Sequence, residues 1–313
     1  MTSPTARDAA ARDATLVGLL SALGAFVIWG LLAPVYFKLL GGVDPLEIVA
    51  HRVVWTVVLV GTAVLATRGP AAIVRAVGTW RRLGIFVVTM ALISGNWLIY
   101  IHAIVTNQLV QSSLGYYINP LVNVVLGVVF LHERLSRRQL VAVLVAGAGV
   151  GSLVVAHGTL PWIALALALS FGFYGLVRKK AAIDPMIGLL VETTLLLPVA
   201  VAYLAWLGTG GAFLTQGVGP ALLLVASGPV TAVPLVLFAM GAARLKLSTI
   251  GLLQYVAPTG QLLLGVLVYG ERFTTAHAVA FGCIWTALTL YSLDAFTIHR
   301  ANRRAEARAA AGD

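Results

Sequence analysis

Charge is the first thing this chain is short of. Only 10% of its 313 residues are Asp, Glu, Lys or Arg, where a soluble globular domain carries about a quarter, so a fold that dissolves in water is excluded. Cysteine is nearly absent too. Cys283 stands alone, which removes any disulfide within the chain and any paired-cysteine metal site. No G-x-x-x-x-G-K-[ST] run is present to cradle the phosphates of ATP, and no G-x-S-x-G marks a nucleophile. His132-Glu133 lacks the second histidine of a zinc-binding H-E-x-x-H. Without a nucleophile and base or paired acids at matched depth, no catalytic residues, cofactor or metal are expected, and the chain does not read as an enzyme. The net charge of +10 would suit a nucleic-acid binder, but the basic residues lie between apolar runs and leave no basic domain over.

What fills the chain instead is hydrocarbon, 60% of residues being hydrophobic. A helix needs roughly 20 mostly apolar residues to cross a bilayer. Ten segments meet that length, at about 16–39, 46–67, 83–105, 109–131, 138–156, 160–178, 186–207, 220–242, 248–269 and 275–296. They are too long and too evenly apolar for barrel strands, which alternate over about ten residues. The first run also exceeds the apolar core of a cleaved signal peptide, so it reads as a retained span. Of the 21 Lys and Arg, only Arg272 falls in a loop on the face opposite the N-terminus, with Lys38 and Arg52 inside spans or at their edges. Positive flanks resist translocation. The expectation is an all-α integral protein of the plasma (inner) membrane, multi-pass, with both termini cytoplasmic and the lipid bilayer as its surroundings.

The ten spans repeat. Asn119-Pro120 is followed by Gly127 and Glu133-Arg134, and Ala257-Pro258 by Gly265 and Glu271-Arg272, at the same spacings. Asp44-Pro45 matches Asp184-Pro185, each opening the second span of its half, with Trp29-Gly30 and Tyr174-Gly175 in the span before. Five spans per copy is an odd number, so the second copy enters the membrane in the opposite sense, and such inverted repeats place solute sites near the midplane between halves. The units expected are a tail at 1–15, a first repeat at 16–157, a second at 158–297 and a basic tail at 298–313. Both tails read as cytoplasmic.

Ionisable and amide groups inside spans need a reason, because insertion of a charge costs about 2.5–3.5 kcal/mol. Arg52 lies seven residues after Pro45 and Glu192 seven after Pro185, so opposite charges occupy equivalent positions in the two copies. They are expected to line a wet cavity, Arg52 toward the outer side and Glu192 toward the inner, with Glu192 able to carry a coupling proton. Lys38, Asn96, Tyr100, Asn119, Asn123 and Gln254 join them as candidate solute contacts, and Trp29, Trp97, Tyr174 and Tyr255 as cavity lining. The competing expectation is that each polar group pairs with a neighbour and only fixes packing. Glu47 and His51, four apart, could hydrogen-bond. Pro34, Pro120, Pro229, Pro234 and Pro258 are expected to kink helices and free carbonyls.

These residues carry a resemblance. Trp29-Gly30, Tyr36-Phe37-Lys38, Leu46-Glu47-Ile48 through His51-Arg52, Asn96-Trp97-Leu98-Ile99-Tyr100, Ser113 through Asn123, Gln254-Tyr255, and Pro258 with Glu271-Arg272 resemble the EamA branch of the drug/metabolite transporter superfamily, in its RarD-like form, over nearly the whole chain. The resemblance implies ten transmembrane helices, two EamA repeats and a permease role, often in export of amino-acid-like or other small metabolites. A gradient would then drive a small solute by alternating access. A membrane scaffold or sensor without flux is the alternative.

Overall fold

The computed structural model describes residues 4–132, 136–245, 249–250 and 253–311. The side chains of residues 4–14, 157 and 294–311 are not described. Glu133, Arg134 and Lys246 therefore lie outside the described residues.

Among the described residues the chain is helical and carries no strand. Helix α1 (Pro4–Val27) runs through a π turn (Ile28–Leu32) into α2 (Ala33–Leu39), forming the first span. The next four are α3 (Pro45–Arg68), α5 (Trp80–Val105), α6 (Leu109–Leu131) and α7 (Arg137–His157), with an eight-residue helix α4 (Pro70–Val77) after α3. The second half holds α8 (Trp162–Ala181), α9 (Pro185–Leu207), a short α10 (Ala212–Thr215), α11 (Val218–Ala242), α12 (Val256–Leu263) and α13 (Thr275–Ala311). A second π turn (Leu264–Val268) extends α12. Nine of the described helical segments are long and apolar enough to cross a bilayer, and Val256–Val268 is a shorter apolar tenth. Large apolar side chains face outward along them, among them Leu20, Leu39, Leu144 and Val199. Only lipid makes that arrangement favourable.

The sequence signals act where they were read. Asp44 and Asp184 cap α3 and α9, each followed by a proline at the first helical position. Asp44 Oδ1 accepts from Leu46 N at 2.8 Å, and Asp184 Oδ1 accepts from Met186 N and Ile187 N at 3.0 Å each. This satisfies N–H groups that a helix start leaves over. Glu271, from the matched Glu-Arg pair, caps a different helix: its two oxygens accept from Leu109 N and Val110 N, both at 2.7 Å, at the start of α6.

Helices α6 and α11 continue through Pro120, Pro229 and Pro234, and α9 continues through Pro198, which was not singled out. Pro34 sits at the start of α2, just after the first π turn, and Pro258 near the start of α12, whose far end runs into the second. The first π turn offers the Trp29 carbonyl to the Tyr100 hydroxyl and to Gln261 Nε2, each at 3.4 Å. Nearby, Gly30 approaches α12 so closely that a Cβ there would stand 2.7 Å from the Ala257 backbone. Only glycine permits that crossing.

Packing follows the repeat. Span 1 packs on span 8 as span 6 packs on span 3, and span 1 on span 9 as span 6 on span 4. Spans 2 and 7, 4 and 9, and 5 and 10 each pack on their own counterparts. Exchanging every span for the one five places on therefore maps these contacts onto themselves. The pair α3 and α9 forms the central seam, where each capping aspartate meets the far end of the other helix. Arg68 Nη1 pairs with Asp184 Oδ1 at 2.8 Å on the basic face, and the Tyr203 hydroxyl donates to Asp44 Oδ1 at 3.3 Å on the opposite face.

Candidate functional site

Seven residues into α3, about 10 Å along the helix at 1.5 Å per residue, Arg52 points into a box of rings. Its guanidinium lies 4.1 Å from the Trp97 ring centroid and 5.5 Å from that of Phe37. The hydroxyls of Tyr36, Tyr100 and Tyr116 are its electrostatic neighbours. The box forms because three helices present aromatics to α3: Tyr36 and Phe37 from α2, Trp97 and Tyr100 one turn apart on α5, and Tyr116 on α6. Tyr100 meets Phe37 and Tyr116 edge to face at 6.2 and 5.9 Å. Arg52 is 8% exposed, its Nε is buried without a partner, and among the described residues no Asp or Glu lies in ion-pair contact with it. One turn further along α3, Trp55 Nε1 and Thr56 Oγ1 are also buried and unpartnered. A desolvated cation–π contact is worth about 2 kcal/mol, so the rings soften the burial of this charge and leave its N–H donors unused.

Glu192 behaves differently. It is 1% exposed and pairs with Arg178 Nη1 at 3.6 Å, while Oε2 accepts from the Tyr174 hydroxyl at 3.1 Å. Arg178 also donates to the Tyr174 hydroxyl and, through Nη2, to the carbonyls of Asp184 at 2.9 Å and Pro185 at 3.3 Å. Glu192 Oε1 has no partner. The counterpart positions on α3 and α9 thus hold one charge without an ion and one with its ion supplied.

A wet hollow is expected around both charges, and Arg52 and Glu192 stand 8% and 1% exposed. A hollow of about 230 Å³ does open on the basic face, among Ala72, Arg75, Arg82, Phe86, Ile183 and Asp184, and it reaches neither Arg52 nor Glu192.

The other candidates separate into groups. Asn96 Nδ2 donates to Leu167 O at 3.1 Å and to Ser170 Oγ at 2.9 Å, and its Oδ1 accepts from Tyr116 at 3.5 Å, which braces the box from behind. Asn119 ties α6 to Ala168 O at 3.1 Å and accepts from Asn123 at 3.0 Å. Tyr255 stacks on Tyr117 at 6.1 Å, and Gln254 beside it is half-buried. Trp29 packs against Phe26 and Phe238. Lys38 ends at the rim, donating to Ile104 O at 3.0 Å and to Asn107 Oδ1, with its ammonium 5.2 Å from the Tyr269 ring centroid. Glu47 does not bond His51. It accepts from Phe213 N at 3.1 Å, and His51 stacks on the Phe213 ring at 4.9 Å with Nε2 unpartnered.

Several participants carried a sequence signal that was not used. Trp55 and Thr56 stand three and four residues after Arg52, and Arg178 four after Tyr174, spacings that share a helix face. At the edge of the seam, Asp184 is held below the ordinary carboxylate range: burial opposes its ionisation, but the Arg68 hydrogen bond, the Ile187 N–H, the Arg68 charge and the Met186 N–H outweigh it.

Residues 16–155 match the EamA-like transporter family. An uncharacterized transporter of Vibrio cholerae is 48% identical over 292 residues, covering 92% of this chain and 96% of its own. Protein RarD of Escherichia coli is 44% identical over 289 residues, covering 91% and 97%. A solved crystal structure covering 90% of this chain and 98% of its own superposes with a TM-score of 0.56 at 21% identity, a likeness of fold.

Proposed function

The chain belongs to the EamA-like transporter family, and from that premise we propose that it is a permease moving a small polar or charged solute across the plasma membrane, in the export direction. The names of its relatives point to a transporter in general. The observation that carries the finer reading is Arg52, a buried cation without a counter-ion at the seam of α3 and α9. Packing alone would favour a paired charge, as at Glu192, whereas a solute path needs donors left free for cargo.

The working parts are the two five-span units, 16–157 and 158–297, with the basic face cytoplasmic. Rocking of one unit on the other opens the seam alternately, and the latches Arg68–Asp184 and Asp44–Tyr203 stand at its two mouths. The closed packing is the occluded state of that cycle. With no phosphate loop for ATP, a gradient supplies the energy, and Glu192 is the group placed to carry a coupling proton. Tyr100 and Trp97 frame the cargo with Arg52, while Asn96 acts behind them. No catalytic step is assigned.

Proteoliposomes test this. Protein-dependent efflux of a labelled small metabolite from a mixed load is expected, and folded protein that moves none of them would sink the permease reading. Flux unchanged between pH 5.5 and pH 8, conditions bracketing neutrality by about one to one and a half units, would remove the proton from Glu192 while leaving facilitated transport intact.

A further inference from the structure

We propose that the Arg52 box binds a small organic monoanion, a carboxylate on an apolar or aromatic body, and not a zwitterion. The proposal rests on the permease reading for its role in the cycle, but its chemistry comes from the unused donors.

The guanidinium is planar, and Trp97 and Phe37 contact it at 4.1 and 5.5 Å. The N–H donors lie in the plane of the fork and meet no acceptor among the described residues. The three tyrosines cannot serve as donors without breaking other bonds: Tyr36 donates to Leu223 O, Tyr100 to Trp29 O and Tyr116 to Asn96 Oδ1. The donor left free among the rings is therefore the Arg52 guanidinium, and one turn on along α3 Trp55 Nε1 and the Thr56 hydroxyl are also unpartnered. A group that only accepts, and accepts in a plane, matches that set, and a carboxylate engages guanidinium in two parallel bonds. The surrounding rings suit a hydrophobic remainder.

The charge count excludes other ligands. A phosphate dianion calls for a second cation, but the Lys38 ammonium is already held by Ile104 O and Asn107 Oδ1. An amino acid would bring an ammonium group that needs a carboxylate. Glu47 is committed to Phe213 N and Asp44 to Leu46 N, and the charge of Glu192, although its Oε1 is unpartnered, is already matched by Arg178.

The test is equilibrium binding to purified full-length protein, followed by melting temperature and intrinsic tryptophan fluorescence, because a ligand that prefers the folded state raises the midpoint and Trp97 touches the proposed anion site. The probes are 3-phenylpropanoate, its neutral amide, phenylalanine and inorganic phosphate. The expected result is a saturable rise with 3-phenylpropanoate alone, lost in Arg52→Gln and weakened by about tenfold or more in Arg52→Lys, whose point charge lacks the fork. No response of the wild-type protein, an equal response to the amide, phenylalanine or phosphate, or an undiminished response in Arg52→Gln would each overturn it. Should Arg52→Gln fail to fold, the four probes on the wild-type protein decide alone. Binding of 3-phenylpropanoate without protein-dependent flux of any solute in proteoliposomes would end the permease reading and leave the anion site standing. Flux of another solute with no carboxylate binding would do the reverse.

Discussion

Arg52 and Glu192 occupy matching positions on α3 and α9, yet the protein treats their charges in opposite ways. Arg178, one turn from Tyr174, reaches Glu192 at 3.6 Å and also donates to the Tyr174 hydroxyl and to two backbone carbonyls. Removing one partner of such a buried pair strands the other, at about 3–5 kcal/mol. Arg178→Gln is therefore expected to destabilise the protein by that order in a chemical unfolding titration. The double variant Arg178→Gln with Glu192→Gln should recover most of the loss, since it buries no orphan charge. Equal instability of the single and double variants would show that the fork's packing, and not its charge, matters. Arg52→Gln should behave differently, with stability kept or raised, because a charge already without an ion is being removed.

Where helices cross, glycine sets the distance. A Cβ on Gly30 would lie 2.7 Å from the Ala257 backbone, and one on Gly228 2.7 Å from the Trp55 backbone. Gly30→Ala and Gly228→Ala should each cost about 1–3 kcal/mol, the ordinary penalty of forcing packed elements apart, read as a lowered melting temperature. Gly147→Ala in α7 meets nothing within 4 Å and should be neutral or slightly stabilising, since alanine favours helix. The capping aspartates make a second prediction for these elements. Asp184→Asn keeps an N-cap acceptor but loses the charge facing Arg68, and that pair is about 40% exposed on each side, so the cost is at most about 1 kcal/mol. The folded carboxyl sits below its ordinary range, so its contribution is present above the unfolded value near 4 and disappears as pH falls through the lower folded value. The melting-temperature gap between wild type and Asp184→Asn should accordingly close in acid and stay constant above about pH 5.

Across the whole molecule, the two ends of the α3 and α9 seam are the places to arrest movement. A bifunctional methanethiosulfonate cross-linker joining Arg68→Cys to Asp184→Cys should hold the basic mouth shut, and one joining Asp44→Cys to Tyr203→Cys the opposite mouth, each in a background where Cys283 is replaced by Ser. Loss of proteoliposome flux on cross-linking, reversed by reductant, is expected for both pairs. Full flux through either cross-linked form would show that the seam is not the moving joint.

Apolar run length determined the spans before any coordinates, because hydrocarbon thickness and backbone hydrogen bonding leave a chain of this composition no other regular structure. Asp-Pro capping is equally local, so the starts of α3 and α9 were legible from Asp44-Pro45 and Asp184-Pro185. Arg52, Trp97 and Tyr100 could be picked out one by one as residues lipid would reject or that sit at matched depth. Partnership was not legible. That Arg178 serves Glu192, that Glu47 turns from His51 to Phe213, and that Lys38 is spent at the rim depend on which helices meet and at what rotation. Those are contacts between distant parts of the chain, chosen by the packing of spans against one another, and the pattern along a single span carries no record of them.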